Sequence, residues 1–206
     1  MRFFNNRLFI VLVLLAFLVT GTGCKKKHLK TIGALLAVGI AAKVIYDMVV
    51  DYRSEQTRND KQVVDKYKQN FKELPKEPTL VKYESNLLPG SVINPGSAVS
   101  IKSSLEVVRG KDKEQVEIKE KITIYDNEDP TKELKSLVKS VNQDTARCGA
   151  FENEFTFTLP KGMPQGVYPV TTTVIIDGKE LQPVEKKMQL VNSSNDRLNR
   201  LFVAAN

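Results

Sequence analysis

Gly166-Val-Tyr-Pro-Val-Thr-Thr-Thr-Val-Ile-Ile-Asp-Gly178 is the stretch on which the fold turns. Tyr168, Val170, Thr172, Val174 and Ile176 recur every second residue, so one face of an extended segment carries the large side chains. Helical spacing would scatter them around a cylinder. Asp177-Gly178 then closes the run with a tight-hairpin signal, because both central residues of the favoured two-residue turn need positive φ.

The same period extends in both directions. Val99, Ile101, Leu105 and Val107 alternate, as do Val116, Ile118, Ile122 and Ile124, and then Phe151, Phe155, Phe157 and Leu159. Leu80 to Tyr83 opens the series and a weaker segment from Leu181 to Val191 ends it. The pattern predicts about six strands, each with one apolar face, in antiparallel sheets packed face to face. Turn chemistry separates them at Leu88-Pro-Gly90, Asn94-Pro-Gly96 and Arg109-Gly-Lys-Asp-Lys113. One crossover helix is expected between the third and fourth strands. Asp129 is its cap, Pro130 its first residue, and Leu134, Leu137, Val138 and Val141 its apolar stripe.

Before Thr79 the period becomes helical. A long N-terminal helix is expected over residues 31–74, ended by Pro75 and Pro78 in a short linker, residues 75–78. Gly33, Ala37 and Ala41 form a small-residue stripe suited to helix packing. Lys43, Asp47, Asp51 and Glu55 continue a polar stripe at the same spacing. Val64, Tyr67, Phe71 and Leu74 form a seam that fits a short coiled coil, a helix docked on the domain, or a solvated stalk with one apolar edge. Residues 79–191 are expected to fold alone. A tail over residues 192–206 carries Leu198, Leu201 and Phe202 on one helical edge.

The chain begins Met-Arg-Phe-Phe-Asn-Asn-Arg7, continues with an apolar run from Leu8 to Val19, and closes with Thr20-Gly-Thr-Gly-Cys24. A basic start, a short apolar core and small residues make an export signal. Its apolar run is shorter than the about 20 residues that span a bilayer. This segment resembles the precursors of bacterial lipoproteins. The resemblance implies a signal peptide over residues 1–23, cleavage between Gly23 and Cys24, and acylation of Cys24, so that the bilayer is the first partner. Gly21 departs from the aliphatic residue usual at that position. Lys25 rather than Asp follows the cysteine, which in enterobacterial relatives implies the outer membrane, facing the periplasm. Three acyl chains would anchor permanently, since each buried methylene contributes about 0.8 kcal/mol.

The net charge of +7 falls to +5 once Arg2 and Arg7 leave with the signal. Much of the excess sits in a basic tether over residues 24–30. There Lys25, Lys26, Lys27 and Lys30 are either a contact for anionic headgroups or simply solvated beside the anchor. Thr31 to Val50 admits two readings, a helix lying on the membrane or on a partner, and a transmembrane segment. The second places Lys43 and Asp47 in hydrocarbon. No basic patch interleaved with aromatics suggests nucleic acid.

Phe155-Thr-Phe-Thr-Leu-Pro160, Gly166-Val-Tyr-Pro-Val170 and Val174-Ile-Ile-Asp-Gly178 together resemble bacterial immunoglobulin-like domains. The resemblance covers about residues 79–191 and implies a β-sandwich rather than an activity. The Cys, Trp and Cys of antibody domains are missing, as there is no Trp.

Catalytic and metal-binding patterns are sparse. His28 is the only histidine and lies beside the anchor, far in sequence from the domain. Asp126-Asn-Glu-Asp129 lacks the spacing of a calcium loop and reads as a capping turn. Glu114, Glu117 and Glu120 sit among lysines and read as a solvated sheet face. Cys148 has no partner if Cys24 is acylated, and is expected to be a buried thiol. Neither a cofactor nor a metal is indicated. The expectation is a non-catalytic cell-envelope lipoprotein that presents a sandwich to a protein or polysaccharide in the periplasm. The alternative is a membrane-embedded structural component assembled through residues 31–50.

Overall fold

The computed structural model describes Ile45 and residues 47–191. The signal, the tether, residues 31–44 and the tail over residues 192–206 lie outside the described residues. Among the described residues the elements follow in this order. They are β1 (Val50–Arg58), α1 (Asp60–Phe71), β2 (Thr79–Leu88), β3 (Val92–Ile93), β4 (Ala98–Val108), β5 (Ile118–Tyr125), β6 (Glu133–Ser140), β7 (Gly149–Thr158), β8 (Gly166–Ile176), β9 (Lys179–Glu180) and β10 (Val184–Leu190). The fold is mainly β, as the period-two runs require. One sheet has the order β1-β7-β4-β2; the other runs β3-β10-β8-β5-β6, with β9 added beside β8. All pairings are antiparallel except β3 with β10.

The alternating residues fill the space between the sheets. Ile101, Phe155 and Phe157 from the first sheet meet Ile122, Ile124, Tyr168, Val170 and Met188 from the second. A second apolar cluster joins Leu105, Val107 and Phe151 to Ile118, Val174 and Ile176. Each fully buried side chain of this size contributes about 1.5–3 kcal/mol. The hairpin at Asp177-Gly178 forms as expected, with φ of 49° and 82° and Ile176 opposite Lys179.

Two expected helices are corrected. Residues 133–140 form strand β6, paired with β5, instead of a crossover helix. A register shift between Ile124 and Tyr125 explains the misleading spacing. At such a bulge two residues oppose one, so Leu134 and Leu137, three apart, both reach the core. Asp129 caps no helix. Its Oδ1 accepts from the Thr131 backbone N–H at 3.0 Å in the turn that closes the β5–β6 hairpin.

The long helix over residues 31–74 is also not continuous. Residues 50–58 form β1, paired with β7 along its whole length. Val50 and Tyr52 pack on the larger core cluster, where Tyr52 lies 4.6 Å from Phe155 between ring centroids. Asn59 then caps α1, accepting from the Gln62 N–H at 3.0 Å while Gln62 Oε1 accepts from the Asn59 N–H at 2.9 Å. This reciprocal box stops the strand and starts the helix within two residues. Val63, Val64, Tyr67 and Leu74 pack on Val108 and Ala150, so the seam is a helix docked on the outer face of the first sheet. Phe71 stays 62 % exposed, stacked on Tyr67. The sandwich therefore includes residues on the N-terminal side of the expected boundary at Thr79. Ile45 and Met48 are buried in its larger core cluster.

Candidate functional site

Between the two apolar clusters lies a layer of polar side chains. Antiparallel partners share a face, and Ser54 faces Asn153, Asn153 faces Ser103, and Ser103 faces Ser85 across β1, β7, β4 and β2. The first sheet thus carries an inward row of short polar residues from edge to edge. Opposite them the second sheet places Glu120, on β5 between Ile118 and Ile122, at 0 % exposure. Thr172 on β8 is equally buried.

Glu120 bridges the sheets. Tyr83 Oη donates to its Oε1 at 2.6 Å; Ser103 Oγ and Asn153 Nδ2 donate to its Oε2 at 2.9 and 2.8 Å. Asn153 Nδ2 also reaches Ser103 Oγ at 3.3 Å. Among the described residues no cation lies within ion-pair distance of the Glu120 carboxyl. Burial drives its pKa up, against the three donors that favour the anion. Burial and the neighbouring Glu120 likewise push the Tyr83 hydroxyl up. Glu120 is thus not part of the solvated face expected from its charged neighbours. The signal was present in the spacing Ile118-x-Glu120-x-Ile122, which puts the carboxyl on the apolar face. Ser103 between Ile101 and Leu105, and Asn153 between Phe151 and Phe155, carry the same signal.

A second carboxyl, Glu106 on β4, is buried under α1. Arg58 Nη2 and Lys66 Nζ both pair with it, the latter at 3.3 Å, and tie the end of β1 and the helix to the sheet. Cys148 is buried, as expected, and forms no disulfide among the described residues. Burial first, then the charges of Asp60 and Asp177, push its thiol up to about 12.

Two shallow grooves mark the outer faces. On the first sheet a groove of about 680 Å³ is lined by Arg53, Glu55, Glu84, Lys102, Glu152 and Glu154 among others. A hydrogen bond from Ser100, helped by Arg53 and Lys102, holds Glu154 below the usual carboxylate range. On the second sheet a groove of about 760 Å³ runs past Tyr125, Pro130, Pro169, Thr171, Pro183 and Lys187. No cluster of three or more metal-ligating side chains occurs among the described residues. Of the residues expected to carry function, Gly23, Cys24, Lys25, Lys26, Lys27, Lys30, Gly33, Ala37 and Ala41 all lie outside the described residues. No described helix is long and apolar enough to cross a membrane.

No protein-family model matches the chain, and no curated protein matches it. Solved structures resemble parts of it. The CARDB domain of a Pyrococcus furiosus protein, solved with di-metal ions, is 15 % identical; the match covers 57 % of this chain and 96 % of that one, with a TM-score of 0.35. A cohesin module from a Clostridium perfringens family 33 glycoside hydrolase is 13 % identical over 58 % of this chain and 99 % of its own, at 0.31. BcpA, the major pilin subunit of Bacillus cereus, is 11 % identical over 56 % and 40 %, at 0.33.

Proposed function

We propose that this chain is a non-catalytic lipoprotein of the bacterial cell envelope, which presents an immunoglobulin-like β-sandwich to a protein or polysaccharide partner in the periplasm. The observation that carries the reading is the export signal closed by Thr20-Gly-Thr-Gly-Cys24, followed in the same chain by a folded sandwich. Acylation of Cys24 supplies the anchor. The lysines at 25, 26, 27 and 30 then lie beside the headgroups. The outer grooves of the two sheets are the surfaces available to a partner.

The membrane-embedded alternative draws on the stripe Gly33, Ala37 and Ala41. It is weakened because Ile45, Met48 and Val50, the end of the supposed span, pack on the sandwich core. Only residues 31–44 remain for a crossing, short of the about 20 residues a spanning helix needs.

Mass spectrometry of the N-terminal peptide tests the proposal. The expected result is a mature chain that starts at Cys24 with acyl groups on its thiol and amine, and an uncut precursor for Cys24→Ser. Normal cleavage of Cys24→Ser together with an unlipidated wild-type peptide would refute it. Crosslinking in intact cells followed by co-purification would identify the partner.

A further inference from the structure

The buried layer around Glu120 has a property that neither the anchor nor the grooves explain. We infer that the folded sandwich carries Glu120 as the neutral acid, and that loss of its proton loosens the contact between the two sheets, making the domain tighter in acid and looser in alkali.

Position carries the inference. Glu120 sits at 0 % exposure, flanked by one apolar cluster on either side. A buried charge is tolerated when a cation pairs with it. The titratable and charged groups on the packed elements do not supply one. From β2 comes the phenol Tyr83, and from β1 the phenol Tyr52. Strands β4 and β7 contribute Ser103 and Asn153. On β8 the facing residues are Thr172 and Val174. From β6, Lys139 is the register partner of Glu120 but forms no ion pair with it.

The hydrogen-bond pattern accommodates the neutral acid. Thr172 Oγ1 lies beside the Tyr83 hydroxyl yet makes no hydrogen bond within ordinary limits. With Glu120 ionised, the single Tyr83 proton is committed to the carboxylate, and Thr172 meets Tyr83 Oη only by donating its own hydroxyl proton. With Glu120 neutral, its own proton sits on Oε1 and is donated to Tyr83 Oη, and the Tyr83 proton is released to turn to Thr172. The neutral acid is therefore held with Glu120, Tyr83 and Thr172 all paired. On ionisation the proton leaves to solvent and a buried carboxylate with no cation beside it stays behind, a cost relieved when water enters or the sheets part.

The sign follows from linkage. The unfolded chain loses this proton near the usual Glu value of about 4.3. The folded chain holds it to higher pH, so stability is full below that value and falls as pH rises towards the folded pKa. Thermal melts of the full chain in detergent micelles, followed by far-ultraviolet circular dichroism between about pH 5 and pH 9, read the effect. Wild type should lose roughly 5 °C or more in Tm across this range. Glu120→Gln should flatten that slope and melt no lower than wild type at the alkaline end. An unchanged slope in Glu120→Gln overturns the inference. Should that variant not fold, wild type labelled with ¹³C only in glutamate carboxyls decides alone. A protonated glutamate carboxyl at about pH 7 that is lost on unfolding in urea is expected; fully ionised glutamates under those conditions would overturn it.

Discussion

Glu106 and Glu120 are two buried glutamates on neighbouring elements of one sandwich, and they are buried on opposite terms. Glu106, at 3 % exposure, faces outward from β4 beneath α1 and meets two cations, Arg58 and Lys66. Glu120, at 0 %, faces inward from β5 and meets a phenol, a hydroxyl and an amide. A carboxylate leaves water at acceptable cost only when opposite charge and hydrogen bonds replace its hydration. At Glu106 that replacement comes from the chain on the N-terminal side of Thr79, since Arg58 ends β1 and Lys66 lies in α1. At Glu120 it comes from strands alone, and neutralisation is the cheaper solution. The difference shows that β1 and α1 are built into the sandwich electrostatically as well as by packing.

The largest effect that would break this comparison is removal of the cationic side altogether. A chain begun at Thr79 lacks β1, the partner of β7, and uncovers Val108 and Ala150 beneath the missing helix. It is expected to show no cooperative melt, whereas the chain from Lys25 unfolds in one transition. A cooperative melt of the shortened chain would return β1 and α1 to the role of a stalk. Arg58→Met is a milder change that keeps the apolar stem and deletes one of the two cations on Glu106. Because Lys66 remains, the loss should be about 2 kcal/mol in urea unfolding, below the usual cost of an orphaned buried charge. A loss within about 0.5 kcal/mol, the range of ordinary surface substitutions, would mean that the Arg58–Glu106 pair contributes nothing.

Cys148 sharpens the comparison at the same end of the first sheet, two residues before Ala150, the register partner of Glu106. Its thiol is buried beside the start of β7, and with the pKa raised to about 12 the thiolate is scarce at neutral pH. Maleimide labelling of the native chain should run at least about tenfold slower than labelling in urea. Equal rates would show that the edge formed by β1 and β7 opens readily.

The fold was legible where strands bury large side chains on every second residue. Phe151, Phe155 and Phe157 in β7, and Tyr168 through Ile176 in β8, declare their period without ambiguity. Legibility failed at two of the edge strands, β1 and β6. In β1 only Val50 and Tyr52 are apolar inward residues, because Ser54 begins the polar row, and the charges at Asp47, Asp51 and Glu55 imitate a helical stripe. In β6 the bulge opposite Tyr125 lets Leu134 and Leu137 share the core, a spacing of three that mimics a helix. Glu120 was hidden by its neighbours, since Lys119 and Lys121 face solvent on the same strand. Its inward direction followed from Ile118 and Ile122, but nothing in the linear pattern shows that Tyr83, Ser103 and Asn153 converge on it across two sheets. That convergence depends on strand order and register, which bring together residues that lie far apart in the chain.

Amide hydrogen exchange of β1 tests most directly the claim that the sandwich begins well before Thr79. The strand is paired with β7 from Val50 to Arg58. Its hydrogen-bonded amides should therefore exchange with protection close to that of β7, and lose it only in the global unfolding transition. Exchange of β1 at the rate of an unstructured peptide, while β4 and β7 remain protected, would contradict the account.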